Sequence, residues 1–337
     1  MEERTHSWIA IRALALLEDL GIEKQLVALL KPHVGKSSVG CWIPDQVDAK
    51  RGGAGSSTEN HVLKMEPYGR KPSERFVLRK KDLLKQSGPY RMITRFLTDD
   101  VSLDADWWGM PFKGDVTKAG HHLPNRIMAL STMMKDLLLM GDQRIDSLIP
   151  GDVRFAQYMK PELRTKEEAA AMFFFMISHF VADAGMPCHC DGRKLSAYSE
   201  GLHKELEGFW SRKVGLSFER KKLLKEGIEP DVILQSARDI DGSFELTWSS
   251  SALPDLREGN DIWLEFIYLC RASFALASIV APYKQYPYGS DSKAPFDDLF
   301  GAGKEKLLDD MSRTVLHDAV LNTAIVWKHI WGKVSRN

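Results

Sequence analysis

Residues 176–210 read MISHFVADAGMPCHCDGRKLSAYSEGLHKELEGFW. Five ligand-type side chains recur in this stretch as H-x3-D-x5-H-x13-H-x3-E: His179, Asp183, His189, His203 and Glu207. Imidazole and carboxylate groups are the nitrogen and oxygen ligands that zinc takes. Two of the pairs, His179/Asp183 and His203/Glu207, are spaced i,i+4, which on a helix puts both members on one face, one turn apart. The flanks, AAAMFFFMISHFVADAG and AYSEGLHKELEGFW, consist largely of helix formers and apolar residues. Gly185 and Pro187 mark a bend between two helices, and His189 follows that bend, so it can turn back toward the first pair. The stretch predicts two helices facing a common metal site.

Working outward, 5–21 (THSWIAIRALALLEDLG) reads as an amphipathic helix with His6 at its entry. Further on, VGCWIPDQVDAKRGGAGSSTENHVLKMEPYG carries Asp45, with Asp48 as its rival, and His61 beyond a Gly- and Ser-rich loop. C-terminal to the metal stretch come more helical runs: RKKLLKEG, PDVILQSARDI, IWLEFIYLCRASFALASIVAPY and KEKLLDDMSRTVLHDAVLNTAIVWKHIWGKV. Strand alternation is scarce, and SFELTWS at 243–249 is its best candidate. An all-α fold follows, a single multi-helix domain spanning 1–337.

The chain has 337 residues, 44% hydrophobic, with 46 basic and 46 acidic side chains, so a sizeable core is available and no bulk charge attracts nucleic acid or an anionic membrane. It contains no apolar run long enough for a transmembrane segment. The start, MEERTHSW, lacks the basic and apolar regions of a secretion signal, which points either to a cytoplasmic location or to a signal not contained in this sequence. Four cysteines are too few for a disulfide framework in a chain of this length. Cys188 and Cys190 bracket His189. Read as extended backbone, they point to opposite sides, so at most one joins the surroundings of His189, and both read as small buried residues or a reducible pair. His121 and His122 precede an apolar helical run and read as helix-entry residues, with ligands or substrate contacts as the alternative. His33, His317 and His329 have no spaced partners and read as structural or solvated.

The string from His179 to Glu207 resembles, with unchanged spacing, the signature of the bacterial zinc-dependent phospholipases C, relatives of the single-strand-specific zinc nucleases. The resemblance covers 1–62 and 165–212 and is weak over about 63–160, a stretch longer than that family needs, which therefore reads as an insertion. It carries a basic run (Arg79, Lys80, Lys81, Lys85) and aromatics (Trp107, Trp108, Phe112) that fit a lid, a lipid-facing or base-stacking element, or simple cover for one side of the bundle. The nuclease branch closes the motif with Asp after a longer gap, so Glu207 leans toward the phospholipase side. The resemblance implies an all-helical fold and up to three Zn2+ ions. One would be held by Asp45, His61, His179 and Asp183. A second, bridged by Asp183, would be held by His6 and the terminal amine of Met1, where those relatives expose Trp. The third would be held by His189, His203 and Glu207. It further implies hydrolysis of a phosphodiester, a phospholipid or a nucleotide, by a zinc-bound hydroxide attacking phosphorus in line. Asp45 and Asp183 are then the catalytic carboxylates, Arg193 a candidate phosphate clamp, and peripheral membrane contact is compatible with the substrate. The competing readings are a nuclease or 3′-nucleotidase on the same site, and a helical module whose zinc is structural. No protein partner is implied.

Overall fold

The computed structural model describes residues 2–50, 61–63, 65–66, 76–78, 101–103, 110–111, 123–139, 165–193, 196–197, 200–248, 262–282, 285–286 and 295–335. The helices are, in chain order, α1 (Glu3–Asp19), α2 (Lys24–Leu30), α3 (Ser37–Lys50), α4 (Leu123–Leu139), α5 (Lys166–Gly185), α6 (Pro187–Cys190), α7 (Leu202–Val214), α8 (Arg220–Leu223), α9 (Pro230–Asp239), α10 (Ile262–Val280), α11 (Phe296–Phe300) and α12 (Glu305–Ser335). Among the described residues, strands are limited to antiparallel pairs of two or three residues per strand, with one isolated parallel bridge between Met65 and Asp191. The pairs are β1 (Met65–Glu66) with β4 (Met110–Pro111), β2 (Phe76–Leu78) with β3 (Val101–Leu103), and β5 (Ser196–Ala197) with β6 (Glu200–Gly201). The architecture is all-α.

Helix α5 is the hub, packed by α1, α3, α4, α10 and α12. Every residue from Ala169 to Gly185 is buried, which is the environment an all-round apolar helix requires. Its start is set by a capping box: the Glu168 N–H donates to Thr165 Oγ1 and the Thr165 N–H to Glu168 Oε2, each at 3.2 Å. Its end is set by Pro187, which disfavours helical backbone at the residue before it. Met186 is accordingly extended (φ −80°, ψ 116°), and Pro187 opens α6 at the position where a missing N–H costs nothing.

Helix α1 departs from the amphipathic expectation, because Thr5 to Leu17 are all buried. Arg12 is accommodated by Asp241, whose carboxylate oxygens lie 3.0 and 2.9 Å from Nε, and by the Trp248 ring beneath its guanidinium. The Trp8 indole N–H donates to the Ala237 carbonyl at 3.0 Å.

Of the expected strand at 243–249, the described residues 243–248 form no strand. Ile240–Phe244 is a 3-10 turn, and Glu245 follows with φ +51°, which no strand tolerates. The alternation there has another cause: Phe244 is buried, and the Trp248 ring stacks on His317 at 4.8 Å. His317 is thus a packed structural residue. Within 63–160, α4 is core rather than cover, with Leu123, Ile127, Leu130 and Met134 buried at helical spacing. The basic run and aromatic cluster of that stretch, together with His121 and His122, lie outside the described residues. No helix among the described residues is long and apolar enough to cross a membrane.

Candidate metal centre

Helix α5 delivers His179 and Asp183 on one face, with His179 Nε2 3.1 Å from Asp183 Oδ2. Helix α1 crosses α5 and lays the His6 ring on the His179 ring, centroids 3.9 Å apart and 19° from parallel. That places His6 Nε2 3.5 Å from Asp183 Oδ1. His61 arrives on an irregular segment held by backbone hydrogen bonds. The Leu63 N–H donates to the His189 carbonyl (3.2 Å) and the Gly192 N–H to the Met65 carbonyl (2.8 Å). So tethered, His61 Nδ1 sits 2.8 Å from Asp183 Oδ2 and 3.0 Å from His179 Nε2. Asp45 belongs to helix α3, and its Oδ1 lies 3.6 Å from His179 Nε2 and 4.0 Å from His61 Nδ1.

The bend after α5 brings His189 back as the sequence implies. Its Nδ1 is 3.4 Å from Asp183 Oδ1, and its Nε2 is 2.9 Å from His203 Nε2. His203 Nε2 is in turn 2.7 Å from Glu207 Oε1, the i,i+4 pair of α7. Cys188 and Cys190 correct the extended-backbone reading. Residues 187–190 form one helical turn, both thiols are buried and in no disulfide, and the Cys190 thiol donates to the Ala184 carbonyl.

Three groups of potential ligand atoms result, each with all members within 4.8 Å of one another: Asp45–His61–His179, His6–His179–Asp183 and His189–His203–Glu207. Asp183 joins them. One of its oxygens faces His61 and His179, the other His6 and His189. Two nitrogens on one tetrahedral zinc stand about 3.3 Å apart, close to the His61–His179 and His189–His203 separations. Hydrogen bonding alone does not account for the cluster. Both nitrogens of His6 and the Nδ1 atoms of His179 and His189 are buried without a hydrogen-bond partner, a costly arrangement unless another ligand engages the site. Burial holds His6 and His189 well below the usual histidine range, favouring the neutral ring. Burial alone would raise Asp183 and Glu207. The positive charge of the chain's amino terminus, followed by His179 and His189 for Asp183 and by the hydrogen bond with His203 for Glu207, outweighs it and keeps both carboxyls low. Neutral imidazole and ionised carboxylate are the states a divalent metal binds.

Every ligand named from the sequence is brought to this cluster except Met1, which lies outside the described residues, as does the side chain of Asp48. Arg193 is neither a phosphate clamp nor a surface residue. Its guanidinium is 2% exposed, pairs with Asp191 (Nη2–Oδ2 2.6 Å) and donates to the carbonyls of Ala281 and Tyr286. The sequence reading missed this pair, which braces the loop behind His189. The D-G-R triplet directly after PCHC was the available signal. Comparison of the chain with protein-family models, with curated proteins and with solved structures finds no match.

Proposed function

We propose that this protein is a zinc-dependent phosphodiester hydrolase of the phospholipase C type. The observation that carries the reading is the sharing of Asp183 between ligand groups, with His189 linking it to the third. Adjacent sites around one carboxylate are the arrangement that multi-metal phosphoester chemistry uses. Zinc, when bound, supplies positive charge against a phosphoryl oxygen and a water that ionises near neutral pH. The chain's own residues supply a closed rear and an open front. The side chains of His6, His179 and Asp183 are 1% exposed or less, whereas Asp45 is 48% and His203 31% exposed. A structural zinc site is closed all round, so the open edge favours catalysis over a purely structural role. Asp45 Oδ1, at that edge, is placed to accept the proton of an attacking water, and Asp183 holds the facing imidazoles in register. His189 links the groups, with its Nδ1 facing Asp183 at 3.4 Å and its Nε2 facing His203 at 2.9 Å. Glu207 as the closing ligand, and a formal net charge of zero, favour a lipid diester over nucleic acid.

The test is zinc per chain on purified protein, with hydrolysis of bis-(p-nitrophenyl) phosphate before and after chelation. Two or three zincs and chelator-sensitive hydrolysis are expected. Asp183→Asn should lose zinc and cut turnover by about a hundredfold or more. A single tightly held zinc with no hydrolysis of any diester would sink the proposal in favour of a structural metal.

A further inference from the structure

Residues 212–225 read RKVGLSFERKKLLK, six basic side chains against one acidic in a chain whose formal net charge is zero. Two short turns, the 3-10 helix Leu216–Phe218 and α8, fold this segment beyond the end of α7. Phe218 and Leu223 point inward and are buried, whereas Leu216 and Leu224 are 59% and 40% exposed. Lys213 pairs with Asp309, and Lys221 with Glu219. Arg212, Lys222 and Lys225 are exposed, and among the described residues no carboxylate lies within ion-pair distance of them. The patch contacts two of the helices that carry candidate ligands, α1 and α3. The Arg220 guanidinium lies 4.1 Å over the ring of Trp42, one helical turn before Asp45 on α3. Arg4, two residues before His6, pairs with Glu219.

We propose that residues 212–225 form a docking surface for a bilayer containing anionic phospholipid. Leu216 and Leu224 enter the interface, and Arg212, Lys222 and Lys225 engage the headgroups. Aliphatic side chains ringed by unpaired cations are the composition that interfacial binding uses. Single-stranded nucleic acid instead calls for exposed aromatics on which bases stack, and the one aromatic of this segment, Phe218, is buried. The inference goes beyond the hydrolase reading and does not need it, because binding can be read on chelated protein.

The experiment is co-sedimentation of the full chain with phosphatidylcholine vesicles, with and without phosphatidylserine, in chelator and in zinc. Binding is expected only with phosphatidylserine, equal in both metal conditions and weakened by salt. Each basic side chain near an anionic leaflet is worth about fivefold in partitioning, so the triple variant Arg212→Gln, Lys222→Gln, Lys225→Gln should lose on the order of a hundredfold. Leu216→Ser with Leu224→Ser should also weaken binding, with the charges intact. All five positions are exposed, so the fold should survive, as far-UV circular dichroism will report. Absence of binding to phosphatidylserine vesicles overturns the proposal, as does undiminished binding by the triple variant. Retention of a single-stranded oligonucleotide in place of vesicles also overturns it and assigns the patch to nucleic acid.

Discussion

Arg193 shows how one residue changes meaning between chain and fold. Following PCHC in the sequence, it reads as a cation near a metal site, free to meet a phosphate. In the structure its partner Asp191 is 0% exposed, and backbone carbonyls from the end of α10 and beyond close around the guanidinium. Nothing in the local sequence reports those carbonyls, because they come from residues far along the chain. Removing one member of a buried pair strands the other charge, at a cost of about 3–5 kcal/mol. Arg193→Gln should therefore lower the urea midpoint sharply while the KM of the protein that remains folded is unchanged. A raised KM at unaltered stability would restore the clamp. The candidate ligand residues stand at the other extreme of legibility. His179/Asp183 and His203/Glu207 declare themselves through i,i+4 spacing, which is local geometry and needs no knowledge of the rest of the fold.

Element boundaries follow the same division. The cap at Thr165 and the stop at Pro187 are local chemistry, so the limits of α5 could be read from the chain. Helix α3 could not, since Pro44 inside it removes an N–H and argues for a turn. The helix persists because it is wedged between α1 and α5, with Cys41, Ile43 and Pro44 buried. The Cys41 thiol sits 3.6 Å from the His6 carbonyl oxygen and 3.4 Å from that of Phe175, and burial pushes it up to about 12, so it stays a protonated donor at this junction. Gly40 sets how closely α3 approaches α5. A Cβ there would stand 2.5 Å from Phe175 Cβ, with the Met172 carbonyl oxygen at 3.2 Å. Gly40→Ala should push the helices apart and cost about 1–3 kcal/mol. Because Asp45 rides on α3, the variant should also bind less zinc, and a melting curve paired with metal analysis checks both effects. Unchanged melting and full zinc would mean that the contact gives way elsewhere.

At the scale of the whole molecule, the fold gathers five histidines and three carboxylates around α5, and stability becomes linked to protons and, on the proposed reading, to metal. Below about pH 6.5, unfolded His6 and His189 take up protons that the folded chain, with both rings held low by burial, does not. Asp183 and Glu207, also held low, add stability above the ordinary carboxylate range that is lost as pH falls through and below it. Both effects have the same sign: chelated protein should unfold more easily as pH drops from 7 toward 4. Zinc should restore about 2.7 kcal/mol when present at a hundred times its dissociation constant, and less in acid as ligands protonate. Urea titrations across that range, with and without zinc, measure both, and a chelated protein indifferent to acid would contradict the assigned states. By itself the sequence determined the all-α class, the two central helices, the bend between them and the i,i+4 pairs His179/Asp183 and His203/Glu207 that they carry. These rest on helical period, propensity and proline chemistry, all of which act within a few residues. Only the tertiary structure decided that α1, α3 and the segment around His61 converge on α5 so that Asp183 is shared, that Arg193 is taken up by Asp191, and that 212–225 turns Leu216, Leu224 and three unpaired cations outward while burying Leu223. Those outcomes depend on which distant surfaces bury one another, and packing of that kind leaves no local period to read.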